Sequence, residues 1–140
     1  MSHPVRAVRR RVRDRHGAVV DGVGACADRV AATWTGDRTA DGVAVSDPLR
    51  ESLERDGLLE RFPDVLADLV EAAGCRLRAR PVPAPPYVVV TSRGPMLRAT
   101  IDPGRLVVRF DVFEVARGDG TVPTATYRRR NDVRVVVSLE

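Results

Sequence analysis

The apolar positions of this chain change their spacing at Gly74. Before it they recur every three to four residues, and after it every second residue. From Val5 to Trp34 the series Val5, Val8, Val12, His16, Val19, Val23, Cys26, Val30, Trp34 falls within an arc of about 80° on a helical wheel, which predicts a helix with one narrow buried stripe. Gly17, Gly22 and Gly24 interrupt it, each at a cost of about 1 kcal/mol relative to alanine, so a break or kink is expected near Gly17. TGDRTADG, Thr35 to Gly42, reads as a polar loop. Asp47 followed by Pro48 marks the start of a second helix, which Gly57 should end. Pro63 opens a third, with Val65, Leu66, Leu69, Val70 and Ala73 as its apolar face and Gly74 as its stop.

After Gly74, Cys75, Leu77, Ala79 and Val82 alternate with Arg76, Arg78 and Arg80, the pattern of a half-buried strand. PVPAPP, Pro81 to Pro86, cannot continue a hydrogen-bonded ladder and reads as a stiff connector. Strands follow at Tyr87–Ser92, Met96–Asp102 (Leu97, Ala99 and Ile101 inward) and Arg105–Ala116 (Leu106, Val108, Phe110 and Val112 inward). In the last of these the apolar parity shifts to Phe113 and Val115, which predicts a bulge or bend near Asp111 to Phe113. Thr124–Arg130 and Val133–Leu139 complete the set, with Val133, Val135, Val137 and Leu139 inward. DPGR (Asp102–Arg105) and RGDG (Arg117–Gly120) read as turns. The short links require antiparallel pairing. The expectation is a single α+β domain over residues 1–140. About three helices in 1–74 would pack on one face of a five- to six-stranded antiparallel meander in 75–140.

Composition changes the picture in one way. All 23 basic residues are arginine, with lysine and glutamine absent, the bias of a GC-rich genome, which weakens a net charge of +4 as evidence for nucleic-acid binding. The distribution of charge is more informative. Residues 1–16 carry six arginines and one acid, residues 17–74 five and twelve, and residues 75–140 twelve and six. No apolar run approaches a membrane span and the arginine-rich start lacks a following apolar stretch, so a cytoplasmic protein without membrane association is expected. Cys26 and Cys75 are too few for a disulfide scaffold and read as buried thiols, although a pair between them stays open.

Catalytic and metal chemistry find little support. His3 and His16 are the only histidines, and no nucleophile elbow or HExxH motif occurs. Asp102, Asp111 and Glu114 fall on neighbouring strands as a metal-dependent nuclease would need, but the lysine that commonly accompanies such carboxylates is missing. No catalytic residue, metal ligand or cofactor site is assigned. SRGP, Ser92 to Pro95, places Gly94 third in a turn between two strands. One glycine and no following helix make a hairpin the better reading than an anion loop of Ser92 and Arg93. Two arginine groups remain. Arg6, Arg9, Arg10 and Arg13 share one face of the first helix, suited to anion contacts or to solvent. Alternation sends Arg76, Arg78, Arg80, Arg98, Arg109 and Arg134 to the side of the sheet away from the helices, a face for an acidic partner.

PPYVVVTSRGPMLRAT (Pro85–Thr100), GRLVVRFDVFEV (Gly104–Val115) and DRVAATWTGD (Asp28–Asp37), in this order across most of the chain, resemble a family of short haloarchaeal proteins of unknown function. None of these motifs is catalytic. The resemblance implies cytoplasmic residence in high salt, where a screening length of about 3 Å leaves only close contacts effective and favours a protein partner over non-specific nucleic-acid binding. The expected function is therefore a small non-catalytic protein-interaction module, with self-association through the arginine-bearing sheet face as one form. The alternative is a nucleic-acid-binding protein using the arginines of the first helix.

Overall fold

A computed structural model describes residues 3–102, 104–117 and 125–140. The order is α1 (Pro4–Arg15), α2 (Gly17–Ala31), β1 (Arg38–Thr39), α3 (Val43–Arg55), α4 (Leu58–Ala72), β2 (Val88–Val90), β3 (Pro95–Thr100), β4 (Arg105–Arg117) and β5 (Ala125–Leu139). The sheet runs β1-β5-β4-β3-β2 with every pairing antiparallel. The fold is thus α+β, with four described helices rather than three. None of them is long and apolar enough to cross a membrane.

The long first stripe breaks where the glycine predicts. His16 ends α1 and begins α2, outside helical geometry (φ −119°, ψ 23°), yet its stripe stays continuous, with Val8, Val12, Val19, Val23, Cys26 and Val30 all buried. Gly24 serves an approach: a Cβ there would stand 3.1 Å from Val133 Cγ2, so the absent side chain brings α2 down onto β5. Both later helices begin earlier than their prolines suggest. α3 starts at Val43, where Asp41 Oδ1 accepts the Val43 N–H, and α4 starts at Leu58, leaving Pro48 and Pro63 inside. Proline disrupts a helix interior by removing a hydrogen bond and crowding the preceding turn. Burying Val45 in one case, and Leu58, Leu59 and Phe62 in the other, outweighs that at about 1.5–3 kcal/mol per fully buried large apolar side chain. Gly74, at φ +83°, stops α4 as expected, its N–H bonded to Glu71 O and the next N–H to Val70 O.

Between β2 and β5 the meander follows the alternation. Leu97, Ala99, Leu106, Val108, Phe110 and Val137 lie in the core with the helix stripes, and Phe110 stacks on Phe62 at 6.3 Å. Two expectations fail. Residues 75–82 form no strand; Leu77 is only half-buried and Val82 is exposed, and the segment pairs with no described strand. Conversely Arg38–Thr39, inside the expected polar loop, pairs with Arg128 and Tyr127 and closes the β5 edge, so one strand comes from the helical half. The two expected C-terminal strands are one, β5, as far as it is described. The RGDG turn beyond Arg117 and Pro103 of DPGR lie outside the described residues.

The bulge falls where the parity shift puts it. Register slips between Asp111–Arg134 and Phe113–Arg129. Two partners absorb it. Arg93 O, in the β2–β3 turn, accepts the N–H groups of both Val112 (2.7 Å) and Phe113 (3.1 Å). The Arg129 guanidinium donates to the carbonyls of Val112 (3.1 Å), Arg130 (2.6 Å), Asp132 (3.3 Å) and Gly24 (3.3 Å), while its Nε reaches Asp28 Oδ1 at 2.9 Å. The turn itself sits one residue earlier than expected. Thr91 and Gly94 exchange backbone hydrogen bonds around Ser92 and Arg93, and the Thr91 hydroxyl donates to Gly94 O at 2.9 Å. Gly94 (φ +146°) lies so close to β4 that a Cβ would stand 1.9 Å from Phe110 O.

Arg129 therefore satisfies carbonyls that no strand partner reaches. Arg129→Ala should lower the unfolding free energy by about 2–4 kcal/mol. Arg129→Lys should recover less than about half of that, since an ammonium lacks the planar fork. Urea unfolding measures both. Losses below about 0.5 kcal/mol, the level of an ordinary surface site, would contradict this role.

Candidate functional site: the arginine-bearing sheet face and its edge groove

The helices cover one side of the sheet, and the pairing register assigns side chains to the other. Met96, Arg109 and Val136 are cross-strand neighbours there, as are Arg98, Val107 and Ser138, then Thr100 with Arg105, and Asp111 with Arg134. Beyond the bulge the same side carries Glu114, Arg128 and Arg38. Of the six arginines expected on this face, Arg98, Arg109 and Arg134 are placed on it. Arg76, Arg78 and Arg80 are not. They are exposed along the irregular segment after Gly74, since alternation without a ladder does not make a sheet. Arg38, Arg105, Arg128 and Arg130 join the face without having been singled out. Arg105 comes there at the start of β4 by its pairing with Thr100, and the others through the register shift and the β1–β5 pair.

Several of these charges are neutralised locally. Arg109 grips Asp111 with Nε and Nη2 at 3.3 and 3.0 Å, which keeps that nearly buried carboxylate paired. Arg128 and Arg130 both reach Glu114, and Arg130 also contacts Asp132. The hydrogen bond from Arg128 outweighs desolvation and holds the Glu114 carboxyl below its ordinary range. Asp111 and Glu114 are thus committed to guanidinium groups, and Asp102 lies at the β3–β4 turn, so the three carboxylates of the nuclease reading do not converge. Arg98, Arg105 and Arg134 have no ion-pair partner among the described residues. Among the described pairings of β4 and β5, Phe110, Phe113 and Tyr127 turn with the helix-facing positions, and Tyr87, whose O accepts the Arg98 N–H, stands at the β3 edge.

At the β3 edge the face runs into a groove of about 1050 Å³. Arg76 and Arg78 line it from one side, Arg98 and Arg105 from the other, with Asp102 as its only acid. Arg80 lines a second groove of about 870 Å³ with Asp64 and Glu71 of α4. On the other side of the molecule, Arg6, Arg9, Arg10 and Arg13 are exposed on α1 and have no ion-pair partner among the described residues. Arg11 and Arg15 of the same helix turn instead to Asp68 of α4.

Two internal polar clusters have structural geometry. At the α1–α2 break His16 Nε2 lies 2.7 Å from Asp68 Oδ2, while Arg11 Nη1 donates to Oδ1 at 2.6 Å. Between α2 and α3, Cys26 Sγ is 3.5 Å from Asp56 Oδ2, and Arg29 ties Asp56 (2.9 Å) to Ser52 (3.1 Å). Burial, helped by the Asp56 carboxylate, pushes the Cys26 thiol up, the opposite of an activated nucleophile. Cys26 is buried and Cys75 half-buried, and both are free thiols.

These clusters make two checkable statements. Desolvation raises the Asp68 pKa, but bonds from His16 and Arg11 outweigh it, and the net shift is below the ordinary value of 3.8. A depressed folded pKa gives stability that is complete above the ordinary unfolded value and is lost as pH falls through the folded one. Asp68→Asn should therefore flatten the acid limb of stability below about pH 5 in urea titrations, and an unchanged acid limb would contradict the clamp. A thiol reagent on the native protein should modify Cys75 first and Cys26 only on unfolding; equal rates would contradict the burial of Cys26.

A family model described as a domain of unknown function (DUF7988) matches residues 6–140. No curated protein and no solved structure matches.

Proposed function

The chain belongs to the family described as domain of unknown function DUF7988, and for it we propose a non-catalytic role as an interaction module that docks an acidic protein surface onto the open side of its sheet. The observation that supports this reading most directly is the one-sidedness of the layer. Helices bury one side, while the other presents Arg98, Arg105 and Arg134 without carboxylate partners around half-buried Val89, Met96 and Val136. Apolar patches rimmed by guanidinium groups suit protein partners, in which arginine is an enriched contact residue. A base-stacking surface would need several aromatics, and Tyr87, whose O accepts the Arg98 N–H at the β3 edge, is a single one.

Geometry also bears on the partner. The α3–α4 surface is acidic, with Glu51, Glu54, Glu60, Asp64 and Glu71 exposed. Stacking one copy's sheet on another's helices would join two different surfaces, and such contacts continue into open chains unless the rotation closes. Two sheets face to face would oppose like charges. A separate acidic partner meets neither obstacle, so it is preferred over self-association. The nucleic-acid reading keeps one specific support, the exposed and unpaired row Arg6, Arg9, Arg10, Arg13.

Fluorescein-labelled poly-L-glutamate serves as a probe by anisotropy. Binding should weaken steeply with salt and fall about tenfold in the double variant Arg109→Gln, Arg134→Glu, which keeps a hydrogen-bond donor beside Asp111. Undiminished binding by that variant, or none at low salt, would sink the reading. Tighter binding of duplex DNA, abolished by Arg9→Glu with Arg13→Glu, would select the alternative. Light scattering that shows concentration-dependent growth would restore self-association.

A further inference from the structure

The segment from Cys75 to Tyr87 is pinned to β3 at both ends and stands away from it between them. Cys75 Sγ donates to Asp102 O at 3.4 Å, and Tyr87 O accepts the Arg98 N–H at 2.8 Å. The pins are four residues apart along β3, a span of about 13 Å. Pro81, Pro83, Pro85 and Pro86 stiffen the return limb, so the arch does not simply collapse onto the strand. The space left beneath it is the groove of about 1050 Å³.

Its lining is nearly one-signed among the described residues. Arg76, Arg78, Arg98 and Arg105 face it with Asp102 alone in opposition, a net charge of +3 from those five side chains. None of the four arginines has an ion-pair partner among the described residues, although Asp64 and Glu71 border the far side of the same arch. Arg98 is already oriented. Its Nε donates to Pro86 O at 3.1 Å, which leaves both terminal amino groups directed elsewhere and reduces the entropy lost on gripping an anion. Arg76 and Arg78 both line the groove from the arch.

We propose that this groove is a binding site for a compact polyanion, a small molecule that presents two or more adjoining phosphate or carboxylate groups to the four guanidinium forks. Like charges brought to one space by two separate stretches of chain repel, and a multivalent oxyanion removes that repulsion while taking several charge-assisted, bidentate hydrogen bonds. The shape argues for small size. A peptide adding to the β3 edge would run into Tyr87 at one end and Cys75 at the other, so strand addition has room for only about four residues. The site uses Arg76 and Arg78, which are not on the open face. It stands or falls separately from the docking of an acidic protein.

Isothermal titration of the whole chain at moderate salt tests it, with inorganic pyrophosphate and citrate as probes and inorganic phosphate and sulfate as controls. At least one of the two polyanions should bind about tenfold or more tightly than either control. The double variant Arg76→Ala, Arg78→Ala, on an exposed segment whose loss leaves the core intact, should weaken that binding about tenfold or more. Arg98→Gln should act in the same direction. The face variant Arg109→Gln, Arg134→Glu should leave it within about twofold, since neither substituted residue lines the groove. Pyrophosphate alone would assign the site to phosphate chemistry, and citrate with equal strength would extend it to polycarboxylates. No binding by either, no preference over the controls, or no effect of removing Arg76 and Arg78 would overturn the proposal.

Discussion

Everything on the open side of this sheet depends on how the β4–β5 pair survives its own irregularity. A slip of register leaves backbone groups unpaired, and an unpaired buried polar group costs roughly as much as several surface contacts supply. Here the donors go to one carbonyl, Arg93 O, and the acceptors to one cation, Arg129. The turn that supplies Arg93 reaches the bulge because Gly94 has no Cβ to hold it away from Phe110 O. The salt bridge from Arg129 to Asp28 and its bond to Gly24 O then tie the same point to α2. The irregularity is thus a junction of hairpin, sheet and helix layer. It also decides which side each β4 residue faces. Without the shift Phe113 would leave its contact with Trp34, and Glu114 would turn away from Arg128.

That junction was half legible in the sequence. The parity change from Val112 to Phe113 locates the bulge, because a register slip by an odd number of residues, here three, must exchange the two faces. Its partner Arg129 was not legible. An arginine in a strand reads as a solvent position, and nothing local says that its guanidinium will replace missing strand donors. The same limit explains residues 75–82. A two-residue rhythm reports that alternate side chains differ, but a strand also needs a neighbour, and this segment pairs with no described strand. β1 fails in the opposite sense. Arg38 and Thr39 have no rhythm at all, and they pair because the distant end of β5 offers an edge. Pro48 and Pro63 mislead for a third reason. They mark early turns of helices, and burial of Val45 and Phe62 then extends those helices backwards past them.

The candidate site divides along the same line. Arg98, Arg109 and Arg134 were readable from alternation because they lie on strands with regular partners. Arg105 sits at a strand start, and Arg76 and Arg78 reach the groove through an arch whose course follows from two pins far apart in sequence. Local pattern therefore reveals the centre of the basic surface and misses its rim. The polarity of the whole chain has a simpler cause. Some carboxylates of the helical half hold arginines of their own layer, as Asp68 holds Arg11 and Asp56 holds Arg29, and Asp28 reaches Arg129 at the bulge. They are committed on the helix side and do not neutralise the far side of the sheet.

Arginine as the sole cation gives this surface a particular control variable. The guanidinium group keeps its charge throughout the physiological pH range, so neither the face nor the groove gains or loses affinity by proton release from its cations. The Glu114 carboxyl beside Arg128 is held below its ordinary range and so stays ionised near neutrality. Salt acts instead, and not equally. Charges spread along an exposed strand face are separated by distances comparable to the screening length of about 10 Å at 0.1 M, and weaken together as it shortens. Guanidinium groups closing on one anion within a groove act at contact distance, where screening removes much less. Rising ionic strength should therefore release a macromolecular partner from the sheet before it empties the groove. The order of those two losses follows from where the arginines stand, since all of them carry the same charge.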